Sequence, residues 1–305
     1  MPVIFLTTPG ALANWTVPSD WTNNNNSIEI IGTGGPGTPL SGTAAGGGAA
    51  YAKNINVQLT PNSTVQYMIT DPSSVADAAY IGSALFTASI SGTTMTVTSV
   101  NSGVIDVGLC LTTQGSTTYN TRVIARGTGT GGLGTYTIDT TQTSASALRT
   151  GYFCRADDGK VPANGTTGGL GGAITNSLGT LRYAGGAGAS GGGGGGAAGP
   201  RGAGGNGSGG TGGTGDGGFV LGSTGEVDGL AGDYWTSTVS PFFTAGSGSG
   251  GGGAGASGGA GFGGMYGGGG GAGTIVSHNG GQGIIVISYN LSAAPTNKSN
   301  SFFMF

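Results

Sequence analysis

The sequence predicts an all-β protein: a glycine-rich body of β-strands and polyglycine-II helices, with a small β-sandwich or barrel inserted into it. Three observations carry this. Short runs alternate apolar and polar residues between Gly, Pro and Asn breaks. Glycine supplies 73 of 305 residues, far above the roughly 7% of ordinary proteins. Within two long runs glycine also returns at every third position.

Residues 1–82 read as β-structure. Ser27–Ile31 alternates and then turns apolar, as a strand does, and it stops at the run Gly32–Gly37, which contains Pro36. Asn54–Thr60 and Val65–Thr70 alternate on either side of the turn Pro61-Asn62-Ser63, and together they predict a hairpin. Residues 84–148 change character, with less glycine and more Thr, Val and Ile. Strands are expected at Thr94–Val100, Val104–Thr112, Thr121–Arg126, Gly134–Thr140 and Ser144–Leu148, the regular spacing of a small sandwich or barrel.

The glycine runs cover residues 184–218 and 246–273. Positions 252, 255, 258, 261, 264, 267, 270 and 273 are all glycine, as are 185, 188, 191 and 194. A three-residue period is that of a polyproline-II-type helix, with about 3.1 Å rise per residue. Collagen would need Pro-rich Gly-X-Y triplets, and Pro200 stands alone in these runs. An array of polyglycine-II helices fits better, because their outward N–H and C=O groups bond laterally and none is orphaned. A flexible Gly/Ser linker is the alternative, and the interleaved Phe262 and Tyr266 argue against it. Ile284–Tyr289 forms a last strand, apolar on both faces, and the chain closes on Ser-Phe-Phe-Met-Phe.

This gives a discontinuous body of residues 1–83 and 149–290, an inserted module of residues 84–148, and an apolar tail of residues 291–305. Phe302, Phe303 and Phe305 in that tail are candidate assembly anchors, since a naked apolar terminus in water is a liability.

Composition narrows function. Charged residues make up 7% of the chain and the net charge is −3, so no basic patch is available to neutralise nucleic-acid phosphates. With 8% aromatic residues the chain is also unlike a disordered one. No apolar run reaches the ~18 residues of a membrane span, and no Lys or Arg precedes Lys53, as a signal peptide would require. The reading is a protein made in the cytoplasm without membrane insertion. Cys110 and Cys154 are too few for a disulfide framework or a four-ligand zinc site, and read as buried or free thiols.

Motifs that resemble catalytic signatures lack their context. Gly127-Thr-Gly-Thr-Gly-Gly132 matches a dinucleotide fingerprint, but a strand follows where the pyrophosphate needs a helix N-terminus. Ser190 and Ser257 each sit in Gly-x-Ser-x-Gly, with a single histidine, His278, in the whole chain. Asp157 and Asp158 are adjacent and point to opposite sides of an extended chain. Asp216, Glu226, Asp228 and Asp233 form a loose acidic group that reads as a solvated loop. No enzyme, cofactor or metal site is expected. The aromatic interruption between the glycine runs is the leading binding candidate, because rigid aromatics anchor sugars and protein partners. It supplies Tyr234, Trp235, Phe242 and Phe243, joined by Phe262 and Tyr266.

Several ordered segments resemble a known family. They are Trp15-Thr-Val-Pro18, Ile28-Glu-Ile-Ile-Gly-Thr-Gly-Gly35, Gly46-Gly-Gly-Ala-Ala-Tyr-Ala-Lys53, Tyr183-Ala-Gly-Gly-Ala-Gly188, residues 196–207, and Gly281-Gln-Gly-Ile-Ile-Val-Ile-Ser-Tyr289. Together they resemble the glycine-rich domain family of bacteriophage tail fibres, adhesins and related virion proteins. Phe86–Thr98 and Gly127–Thr137 resemble a second module common in phage fibre proteins. The resemblance implies a structural protein on the virion surface, oligomeric there and bound to other virion proteins. It implies either a tail-fibre or tail-tip adhesin that touches a host surface glycan or protein, or a capsid decoration or head-fibre protein.

Overall fold

The structure, a computed structural model, describes residues 1–38, 43–73, 78–112, 117–232, 253, 259–273 and 277–291. It is all-β, with two antiparallel sheets. In chain order the strands are β1 (Val3–Leu6), β2 (Ala13–Thr16), β3 (Ser27–Ile31), β4 (Tyr51–Ile55), β5 (Thr64–Met68), β6 (Ala78–Ser102), β7 (Cys110–Leu111), β8 (Thr121–Arg126), β9 (Gly134–Asp157), β10 (Leu181–Tyr183) and β11 (Ile284–Ser288). One sheet has the order β1-β11-β3-β4-β10, the other β2-β5-β6-β9-β7-β8.

Alternation in β3 decides how the first sheet is buried. Ile28 and Ile30 point into the core between the sheets, with Ile285 and Ile287 of β11 beside them. Burying each such side chain stabilises the fold by about 1.5–3 kcal/mol. Ile31, Tyr51, Ile284 and Val286 face the other way and pack against Ala49, Ala197 and Ala198 of the glycine segments. That sheet is therefore buried on both sides, which explains why β11 reads as continuously apolar. On the same outer face the Glu29 carboxylate accepts the Tyr51 hydroxyl at 2.6 Å and pairs with Lys53 Nζ at 3.0 Å. β1 pairs with β11, and Trp21 lies 5.8 Å from Trp15 and 5.2 Å from Tyr289, centroid to centroid.

The expected hairpin of residues 54–70 does not form. β4 pairs with β3 and β10 in the first sheet, whereas β5 pairs with β2 and β6 in the second. Asn56 has a φ of 52°, which ends β4. The Asn26 side chain then holds Val57 by both its N–H and its C=O, and the chain crosses between sheets with Val57 and Leu59 in the core.

β6 and β9 are 25 and 24 residues long and pair from Ala78↔Asp157 to Val97↔Gly134. They run without a break past residues 83 and 149 into the segment of residues 84–148. Thr94–Val100 is thus the outer part of one long strand, and Gly134–Thr140 and Ser144–Leu148 are a single strand with irregular register. The expected strand Val104–Thr112 shrinks to Cys110–Leu111, because Gly103 and Gly108, at φ 75° and 99°, turn the backbone. Phe86, Ala88, Ile90, Met95 and Val97 alternate inward and meet Ile105, Leu109, Val123, Tyr136 and Ile138 in the same cluster as the sandwich core.

Arg149 lies buried in this segment. Its Nε donates to Ala88 O at 3.0 Å and its Nη2 to Ser144 Oγ at 2.9 Å, and Nη1 donates to Thr117 Oγ1. Arg149→Met keeps bulk but strands these acceptors. A loss of about 3 kcal/mol is expected, read as a lower urea midpoint.

The glycine-rich stretches carry few strands, yet many of their described backbone groups pair between segments. The segment Ala44–Ala50 is the clearest case. Ala45 and Gly48 donate to Ala189 and Gly186, Gly46 and Ala49 to Gly270 and Gly267, and Gly47 and Ala50 to Lys160 and Asp157. Its carbonyls accept in the same rotation. Ala44 and Gly47 receive Thr38 and Gly35, Ala45 and Gly48 receive Gly169 and Gly172, and Gly46 and Ala49 receive Gly195 and Ala198. All twelve bonds measure 2.8–3.1 Å. A residue and the one three places on always address the same neighbour, the period of a threefold helix. The segment is buried throughout and touches six others, three as donor and three as acceptor.

Candidate functional site

Sugar or protein recognition requires exposed side chains on a fixed frame. The lattice of glycine segments is the frame here, and its rim carries such side chains. Residues 226–230 run beside residues 259–262. Gly259 N–H donates to Glu226 Oε1 at 2.7 Å, Phe262 N–H to Asp228 Oδ1 at 2.8 Å, and Gly229 N–H to Phe262 O at 2.8 Å. Gly261 and Gly264 allow the close approach, since a Cβ at either would sit 2.1–2.2 Å from the Val227 or Leu230 carbonyl oxygen. The large residues point away from that contact: Val227, Leu230, Phe262 and Met265 are all exposed.

Val227, Leu230 and Met265 were not among the sequence candidates. Val227 and Leu230 are three apart, and so are Phe262 and Met265. All four are exposed, although Met265 stands at the start of the turn 265–267. Of the sequence candidates, Phe262 sits in this group, its ring 4.1 Å from His278 between centroids. Tyr266 turns inward and packs, half-buried, against the cluster of Ile31, Tyr51 and Val286. Tyr234, Trp235, Phe242 and Phe243 lie outside the described residues, as do Phe302, Phe303 and Phe305.

Of the acidic group, Asp216, Glu226 and Asp228 serve the lattice, and Asp233 lies outside the described residues. Glu226 and Asp228 cap backbone N–H groups as above. Asp216 is buried, takes Arg201 N–H and Nε at 2.9 and 3.2 Å, and thereby sets the Arg201 guanidinium 3.9 Å over the Phe219 ring. Asp157 and Asp158 do diverge. Asp157 binds Lys160 Nζ at 2.7 Å and Ala173 N–H at 2.8 Å, while Asp158 Oδ1 takes Thr33 N–H at 2.8 Å. Asp158 is buried, Oδ2 has no hydrogen-bond partner, and burial pushes its pKa up to about 6 against the pull of Thr33.

Among the described residues, no three His, Cys, Asp or Glu side chains lie close enough to hold a metal. Cys110 and Cys154 are buried free thiols, and burial pushes both up, Cys110 to about 12. The glycines at 127–132 form the turn from β8 to β9, with Gly127 and Gly129 N–H groups on Thr135 O, and β9 follows directly. No helix among the described residues is long and apolar enough to cross a membrane. The chain matches no protein-family model and no curated protein.

Proposed function

We propose that this chain is a bacteriophage virion surface protein, a tail-fibre or tail-tip adhesin that attaches the particle to its host. The supporting observation is that Val227, Leu230, Phe262 and Met265 are all exposed on two hydrogen-bonded glycine-rich segments. Recognition groups sit on the outside of rigid scaffolds in this way, because a fixed frame loses little entropy on binding. The sparse charge of the chain favours neutral or apolar contacts over ionic ones. Immunogold labelling of intact virions with antibody to this chain tests the reading. Gold is expected at the fibres or tail tip. Gold over the head would replace attachment by capsid decoration, and unlabelled virions would overturn the virion assignment.

A further inference from the structure

A second feature lies away from the lattice, where β2 and β5 meet the root of the β6–β9 pair. A cleft of about 420 Å³ opens there, within the ~300–1,000 Å³ of small-molecule sites. Its wall follows from strand alternation. Asn14 and Gln66 are partners across the β2–β5 ladder, and both project outward because their neighbours Trp15 and Val65 turn into the core. Gln58 stands opposite, its backbone N–H fixed on Val107 O at 2.9 Å. Leu59 and Phe153 add apolar surface. Gly82, at φ 69°, leaves room for the Phe153 ring, since a Cβ there would lie 2.2 Å from Phe153 Cδ2. Three side-chain amides therefore line one cleft, and none of them bonds another described residue.

The chemistry of the lining selects a ligand class. Each amide offers both a donor and an acceptor, which matches hydroxyl groups that do the same. The one carboxylate, Asp106, is held by Arg126, whose Nε donates at 2.8 Å, so its charge is compensated within the protein. An ionic ligand would find no free counter-charge in the lining. The apolar surface suits the C–H face of a sugar ring. We propose that this cleft binds an uncharged saccharide, a short neutral oligosaccharide. Its biological purpose, though not its chemistry, rests on the attachment reading above.

The test is calorimetry and saturation-transfer NMR on the whole chain. The probes are neutral oligosaccharides of glucose, galactose, rhamnose and N-acetylglucosamine, with uronic-acid and sialylated oligosaccharides beside them. At least one neutral probe is expected to bind saturably. The double variant Asn14→Ala/Gln66→Ala, altered only at exposed positions, should weaken that binding tenfold or more at an unchanged melting temperature. Failure of every neutral probe, binding of acidic probes alone, or full binding by the double variant would each overturn the proposal. Binding by a chain that gold places on the head would keep the cleft and remove the attachment reading; gold on the fibres with no saccharide bound would do the reverse.

Discussion

Gly47→Ala is expected to lower stability by at least about 3 kcal/mol, although it adds a single methyl group. A Cβ at residue 47 would stand 2.0 Å from the Leu170 carbonyl oxygen, and at 46 and 48 it would stand 1.8 and 2.0 Å from those of Gly35 and Gly196. None of these oxygens is free to retreat. Leu170 O accepts Lys160 N–H at 2.8 Å, Gly35 O accepts Gly270 N–H at 2.9 Å, and Gly196 O accepts Gly186 N–H at 2.9 Å. Making room for one methyl group thus breaks a bond between two other segments. Thermal melts followed by circular dichroism should show a fall of at least about 5 °C for Gly47→Ala, and no cooperative melt of the body for Gly46, Gly47 and Gly48 all changed to Val. Gly132→Ala is the control: nothing lies within 4 Å of its would-be Cβ, so its melt should match the parent. A Gly47→Ala melt equal to that of Gly132→Ala would show that the segments are not packed this closely.

Asp158→Asn is expected to stabilise the protein near neutral pH. Burial raises the folded pKa of Asp158 from 3.8 to about 6. Between those values the folded state holds the proton more often than the unfolded chain. The contribution to stability is therefore complete below about pH 4 and is lost as pH rises through about 6. The loss by pH 7 is about 3 kcal/mol. Asparagine can still accept Thr33 N–H and stays neutral at every pH. The gap between variant and parent should be small at pH 4 and widen through pH 6, with the variant melting higher at pH 7. Parallel profiles would show that the carboxylate is not desolvated as the geometry requires.

The all-β class was legible because alternation marks strands wherever one face is buried. β3 and β8 begin and end where their alternating runs do. The third-position glycines stand in residues 184–218 and 246–273, whereas the bonds that follow a threefold period are those of Ala44–Ala50, outside both runs. Partner choice was not legible. A Pro-Asn-Ser turn between two alternating runs signals a hairpin, but the Asn26 side chain, thirty-odd residues away, diverts the chain to the other sheet. Such a contact leaves no local mark. The long strands were divided for a related reason. Gly92 and the irregular register near it look like strand ends, yet pairing resumes beyond them. At the candidate site Phe262 is marked by its aromatic ring, while Val227, Leu230 and Met265 carry no such mark and are identified by their exposure. The Asn14–Gln66–Gln58 cleft combines strands of one sheet with the crossing segment and the turn after β6, so its polar lining is scattered through the sequence.

The position of Ala44–Ala50 also dictates when the body is able to form. This buried segment precedes most of its neighbours, which are residues 157–160, 169–172, 186–189, 195–198 and 267–270 as well as the nearby 35–38. Residues 267–270 follow it by more than two hundred residues. The β6–β9 pair, closing on itself through residues 103–133, needs no such wait. Rates fall as contacts become more distant in sequence. The β6–β9 pair is thus expected to fold early, and the lattice to close only once residues 267–270 are in place around Ala44–Ala50.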